Sequence, residues 1–155
     1  MPRLRGFAEK TKVPVIQSRR QLEDYLQRQG ASGFASAWDT EGDTIEFLWK
    51  AGTTPTTNHY RVRFRLPRLR SGNEQEARRR WRALLLVVKA KVEAVRTGIA
   101  IFEEEFLAHI VDERTGCTVG QILVPRLKAR EALALPPSPT TPEAGMHVHR
   151  SEFKP

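Results

Sequence analysis

EQEARRRWRALLLVVKAKVEAVRTGIAIFEEEFLAHIV, from Glu74 to Val111, commits most of the chain's apolar residues to one periodic pattern. At about 100° per residue, Ala77, Trp81, Leu84, Leu85, Val88, Val92 and Val95 fall within a sector of about 100°, the stripe that a core-facing helix needs. On the same wheel Arg78, Arg82, Lys89 and Arg96 lie within about 40° of one another, which makes a basic ridge beside the apolar stripe. After Gly98, Phe102, Phe106 and Ile110 recur at i, i+4 and i+8, so the stretch reads as a helical hairpin. Ala83, Val87, Ala90 and Ala94 form a small-residue face that lets the second helix approach closely. Glu103, Glu104 and Glu105 then stand in the first turn of that helix, where the dipole favours acids; neighbours on a helix point about 100° apart, so they are cap charges rather than a metal or acid-base cluster.

Upstream the period changes from helical to alternating. Phe34, Ser36 and Trp38, then Ile45, Phe47 and Trp49, then Tyr60, Val62, Phe64 and Leu66 each alternate with a second set, the last with Arg61, Arg63 and Arg65. Asp39 to Asp43, with Gly42, forms the first turn, and Ala51 to Asn58, with Gly52 and Pro55, the second connection. An antiparallel meander follows, with its aromatic face on the Glu74–Val95 helix, because only that face and that stripe offer enough apolar surface to cover each other. Near the N-terminus Val13 to Ile16 reads as a short strand. Ser18 to Gln21 reads as a capping box that opens a helix through Leu22, Tyr25 and Leu26, ended by Gly30. Thr118 to Gln121 has the same capping form. Ile122 to Ala134 is rich enough in Leu, Ala, Lys and Arg for a helix that Pro125 either kinks or begins. The predicted fold is therefore α+β: a meander of three to four strands packed on a helical hairpin, with one N-terminal helix.

Residues 13–135 make one domain, flanked by a flexible basic arm over residues 1–12 and a disordered tail over residues 136–155, PPSPTTPEAGMHVHRSEFKP, which is too poor in aliphatic residues to fold alone. The single Cys117 excludes an internal disulfide, no stretch is long and apolar enough to span a membrane, and Met1 to Lys12 lacks the apolar centre of a signal peptide. These features predict a soluble protein of the cytoplasm.

The formal charge of +8 points to an anionic partner, and its distribution is uneven. Arg61 to Arg96 carries twelve basic residues against three acidic ones, net +9, whereas Thr97 to Glu113 carries five acids and no Lys or Arg. Arg61, Arg63 and Arg65 recur at alternate strand positions about 6.6 to 7 Å apart, matching phosphates along a nucleic-acid strand, and the row continues into Arg68 and Arg70. The same row would also keep a solvent face and a sheet edge soluble. With the helical ridge, this gives nine candidate nucleic-acid contacts: Arg61, Arg63, Arg65, Arg68, Arg70, Arg78, Arg82, Lys89 and Arg96. Trp38 or Trp49, if exposed, would stack on bases.

Catalysis has little to stand on. His59 and His109 have no nucleophile at motif spacing, His147 and His149 have no third metal ligand, and Asp39, Glu41 and Asp43 read as a hairpin turn rather than a metal-dependent nuclease centre. No phosphate-binding loop, dinucleotide fingerprint or zinc spacing is present, so no cofactor, no metal and no enzymatic activity are expected.

Trp81 to Val95 (WRALLLVVKAKVEAV), Gly98 and Phe102 to Val111 (FEEEFLAHIV), with looser support from Val13–Gly30 and Thr118–Pro125, resemble a family of small proteins encoded in bacteriophage and prophage genomes. The resemblance implies a setting, a phage or mobile element in the bacterial cytoplasm, and carries no catalytic residue onto this chain. Two functions are expected from the sequence: a nucleic-acid-binding module, on single or double strands or on a nucleoprotein complex, or a module that docks on a host or phage protein through the hairpin or its acidic end.

Overall fold

A computed structural model of the chain describes residues 11–52, 57–68 and 72–130. The third alternating segment becomes a strand, as do the two before it: β1 (Gly33–Asp39), β2 (Gly42–Ala51) and β3 (Asn58–Pro67) form an antiparallel sheet in the order β1-β2-β3. Phe34 lies opposite Phe47, which lies opposite Val62, and Ser36 opposite Ile45, which lies opposite Phe64. The aromatic and aliphatic set therefore occupies one face, and Glu46, Leu48, Arg61, Arg63 and Arg65 occupy the other.

The β1–β2 turn is fixed by its own residues. The Asp39 carboxylate accepts from the amides of Glu41 and Gly42 at 2.7 and 3.0 Å. Gly42 sits at φ +140, and a Cβ there would lie 2.1 Å from the Leu66 carbonyl oxygen of the neighbouring strand. Only glycine fits between β2 and β3 at this point. Gly42→Ala is therefore expected to lower stability by at least about 2 kcal/mol in chemical denaturation, through strain and a forced opening of the hairpin; an unchanged midpoint would contradict this register.

Two helices cover the apolar face. α2 (Glu74–Arg96) is opened by Asn73, whose side chain accepts from the Gln75 amide, and it buries Trp81, Leu84, Leu85, Val88 and Val92 as its periodicity predicts. α1 (Val15–Arg28) lies beside it. The predicted strand at Val13–Ile16 and the capping box at Ser18 do not form, because the helix starts at Val15 with Pro14 in the cap position, its carbonyl accepting from Gln17 and Ser18. Proline presets the backbone angle that a helix start requires, and the earlier start extends one inner stripe through Val15, Ser18, Leu22 and Leu26. Ser18 is thereby fully buried, its hydroxyl without a partner among the described residues. Gly30, at φ +100, ends the helix as expected.

The second arm of the predicted hairpin is short. α3 (Phe102–Phe106) buries Phe102 and Phe106, and a single 3-10 turn, Leu107–His109, follows. Helix continues no further because Ile110 and Val111 turn extended and cover the outer edge of β3: Ile110 bridges Val62, and the Val111 amide donates to the Arg61 carbonyl at 2.8 Å. Pairing a sheet edge satisfies backbone groups that another helical turn would leave exposed. Phe102 stacks between Trp49 (centroids 5.3 Å apart) and Tyr60 (5.6 Å), and contacts Phe106 at 4.7 Å. The main helical neighbour of α2 is thus α1, with α3 capping the other side. α4 (Val119–Lys128) opens with the Thr118–Gln121 capping box predicted from sequence and carries Pro125 inside it.

Candidate nucleic-acid interface

The basic ridge of α2 faces α1, and the pairing is regular. Arg82 donates to the Gln21 side-chain oxygen at 2.7 Å, the Lys89 ammonium sits over the Tyr25 ring 5.3 Å from its centroid, and Arg96 donates to the Gln29 side-chain oxygen. Both sets of numbers rise together, so the helices run the same way. The three cations recur every seven residues, about 10.5 Å along the axis. Each is held by an uncharged partner, which fixes its position, and none makes a salt bridge among the described residues, although Glu93 lies close by. The Tyr25 hydroxyl is raised above its ordinary value of 10.0, chiefly by burial, with Glu93 adding and Arg96 opposing, so it remains a neutral donor. Arg78, one turn before the ladder, is different: Glu74 pairs with it.

On β3 most charge is already answered. Arg63 pairs with Glu46 across the strands and donates to the Gly116 carbonyl at 2.7 Å, while Arg65 reaches Asp39 at 3.3 Å from an exposed position. The Arg61 guanidinium is half-buried, its Nε without a partner among the described residues, and the exposed Arg68 side chain makes no ion pair among them. Arg70 lies outside the described residues, as do residues 1–10 and 131–155, including His147 and His149.

The structure does not bring the two basic rows onto one surface. α1 and α2 pack on the face of the sheet that carries Ile45, Phe47, Val62 and Phe64. Alternation then sends Arg61, Arg63 and Arg65 to the opposite face, so the sheet lies between the rows. Of the nine candidate residues, Arg82, Lys89 and Arg96 form one continuous positive line; the others stand apart, are ion-paired or lie outside the described residues.

Of the two tryptophans proposed for stacking, Trp49 is packed against Phe102 and Trp38 is 83% exposed. Trp38 borders a cleft of about 330 Å³ between the β1–β2 turn and the start of α2, with Arg68 and Arg80 on its wall. Arg80 is held there by Glu76 and by the Pro67 carbonyl.

The acidic residues have structural duties. Asp43 accepts from the Trp81 indole at 3.1 Å, Glu103 from the Tyr60 hydroxyl at 2.8 Å, and Glu105 from Lys91 at 3.0 Å. Among the described residues no three His, Cys, Asp or Glu side chains cluster as a metal site would require, and no helix is long and apolar enough to cross a membrane.

His109 stacks on Phe64 with ring centroids 3.9 Å apart. Burial pulls its imidazole below the ordinary 6.5, Lys91 adds to this, and the Arg63 backbone opposes it. The unfolded chain therefore takes up this proton first as pH falls, so the stability held above about pH 6.5 declines below it. The parent is expected to lose more melting temperature between pH 7.5 and 5.5 than His109→Phe, which keeps the stack without the titration; equal losses would mean that His109 is not the group responsible.

Family models, curated proteins and solved structures were each compared with the chain, and none matches.

Sequence reasoning singled out the ridge but missed what holds it. Gln21, Tyr25 and Gln29, spaced i, i+4 and i+8, form a polar and aromatic line beside the inner stripe of α1, and that spacing is the one signal that could have found them.

Proposed function

We propose that this chain is a non-catalytic protein of a phage or other mobile element, acting in the bacterial cytoplasm, and that it binds nucleic acid along the seam between α1 and α2. One observation carries the proposal: Arg82, Lys89 and Arg96 stand in line at a helical repeat, each fixed by a neutral partner and none in a salt bridge among the described residues, with Lys89 and Arg96 exposed and Arg82 half-buried. Salt-bridged cations gain little from meeting a phosphate because they must first leave a carboxylate; cations held by Gln or Tyr have no such competitor. The largely exposed ring of Trp38 supports contact with unpaired bases, and the exposed Arg68 lines the same cleft.

The test is binding to labelled single- and double-stranded oligonucleotides by fluorescence anisotropy across a salt series. Binding at roughly 50 mM salt that falls steeply by roughly 200 mM is the expected result. No binding at the lower salt, where even non-specific phosphate contacts are strong, would overturn the proposal.

A protein-docking role is the second reading. It is favoured by the outward side of α2, where Val87 and Ala90 are exposed and Ala83 and Leu86 half-buried.

A further inference from the structure

The side of α2 turned away from the core is unusual for a surface helix. Counted around the helix, the core residues Trp81, Val88 and Val92 lie diametrically opposite Arg79, Ala83 and Ala90, with Leu86 and Val87 flanking them. Val87 is 45% exposed and Ala90 is exposed. From Arg82 to Lys89 this outward strip holds no charge over two turns, where a solvated helix would normally carry several. A shallow groove of about 560 Å³ runs along it, between the side chains of Arg79, Ala83, Leu86, Val87 and Ala90.

The ends of the strip differ in sign. At the N-terminal end one carboxylate, Glu76, serves two guanidinium groups, Arg79 at 3.2 Å and Arg80 at 3.4 Å, so a positive charge is left over. At the C-terminal end Glu93 is exposed and makes no ion pair among the described residues. Arg79 and Glu93 are fourteen residues apart, about four turns and 21 Å, with Leu86 midway. Charge of opposite sign at equal distances on either side of an apolar centre is the arrangement that complements itself under a two-fold rotation.

We infer that two copies of this chain associate through the outward face of α2, the helices antiparallel about an axis near Leu86. Ala83 of one copy then meets Ala90 of the other, which allows close approach, and Leu86 meets Val87. Each Arg79 reaches the other copy's Glu93, giving two equivalent ion pairs at the rim. The ladder of Arg82, Lys89 and Arg96 is centred about a quarter turn or more from Ala83 and Ala90, on the α1 side, with Glu93 at the border between the ladder and the contact. The inference does not depend on nucleic-acid binding.

Sedimentation velocity of the full chain from about 1 to 100 µM is expected to show a concentration-dependent monomer–dimer equilibrium. Ala90→Glu and Val87→Lys, both at exposed positions, should weaken it at least about tenfold while leaving circular dichroism and melting unchanged. Arg79→Glu should weaken it as well, because each copy then presents two acids to each other across the rim, and adding Glu93→Arg to that chain should restore it to within about threefold of the parent. A monomer at the highest concentration overturns the inference and leaves the face to a different occupant. Undiminished association in Ala90→Glu and Val87→Lys overturns it too, as does failure of the double exchange to recover. Arg82→Gln, Lys89→Gln and Arg96→Gln together should leave association intact, so loss of nucleic-acid binding and loss of self-association are read separately.

Discussion

Trp81→Ala is expected to lower stability by about 3–5 kcal/mol, a large share of the 5–15 kcal/mol typical of a domain, and to leave the chain largely unfolded at 37 °C if the parent lies near the lower end. The ring is 4% exposed, in one buried cluster with Phe47, Phe64, Leu84 and Leu85, and its indole nitrogen donates to Asp43 on β2. Truncation would both open a cavity between helix and sheet and leave a half-buried carboxylate without its donor, so two penalties add. Trp81→Phe separates them. It fills most of the space but loses the hydrogen bond, and should cost about 1–3 kcal/mol. Chemical denaturation measures both, and a Trp81→Ala chain that unfolds at the parent's midpoint would mean that α2 does not pack on the sheet as described.

The second large effect concerns binding. Replacing Arg82, Lys89 and Arg96 with Gln keeps helix propensity and polar contact with α1 but removes three charges, so affinity at roughly 50 mM salt should fall about a hundredfold or more and the slope of log K against log salt should flatten by about two to three units. Every sequence should be affected alike, since phosphates are common to all. The sheet-side triple Arg61→Ser, Arg63→Ser and Arg65→Ser provides the contrast. Alternation places that row on the face away from the core, yet Arg63 ties Glu46 to the Gly116 carbonyl, so this variant should also melt lower. If the sheet triple abolishes binding while the ladder triple does not, the interface lies on the open face of the sheet. Neutralising Glu103 or Glu105 is no clean control, because each holds another side chain; Glu104, exposed, is the acid to change.

The α+β architecture was legible because two strong periodicities sit next to each other: the Arg–apolar alternation of residues 60–66 and the helical stripe of residues 77–95 each have one solution. The neighbour of α2 was not legible. Phe102, Phe106 and Ile110 carry a helical spacing, yet at Ile110 the free edge of β3 offers backbone pairing that local sequence does not reveal. The start of α1 was misread for a related reason: Ser18 has the chemistry of a cap, but burial of its face in the core outweighs capping once Pro14 has begun the helix. As for the candidate site, residue type identified the cations but not which of them are neutralised. Arg63 and Glu46, or Arg82 and Gln21, are neighbours only through the sheet and the helix pair, and opposite sheet faces become opposite sides of the molecule only when something covers one of them.

The long reach of the α1–α2 seam sets an order of assembly. Strands β1, β2 and β3 are adjacent in the chain and can zip together from their turns, whereas the contacts between Arg82 and Gln21 and between Arg96 and Gln29 close loops of 61 and 67 residues. Such closures are entropically slow and follow the local hairpins. The surface that carries the positive line is therefore expected to be completed last, so that in hydrogen-exchange labelling during refolding the amides of α1 gain protection after those of β2 and β3.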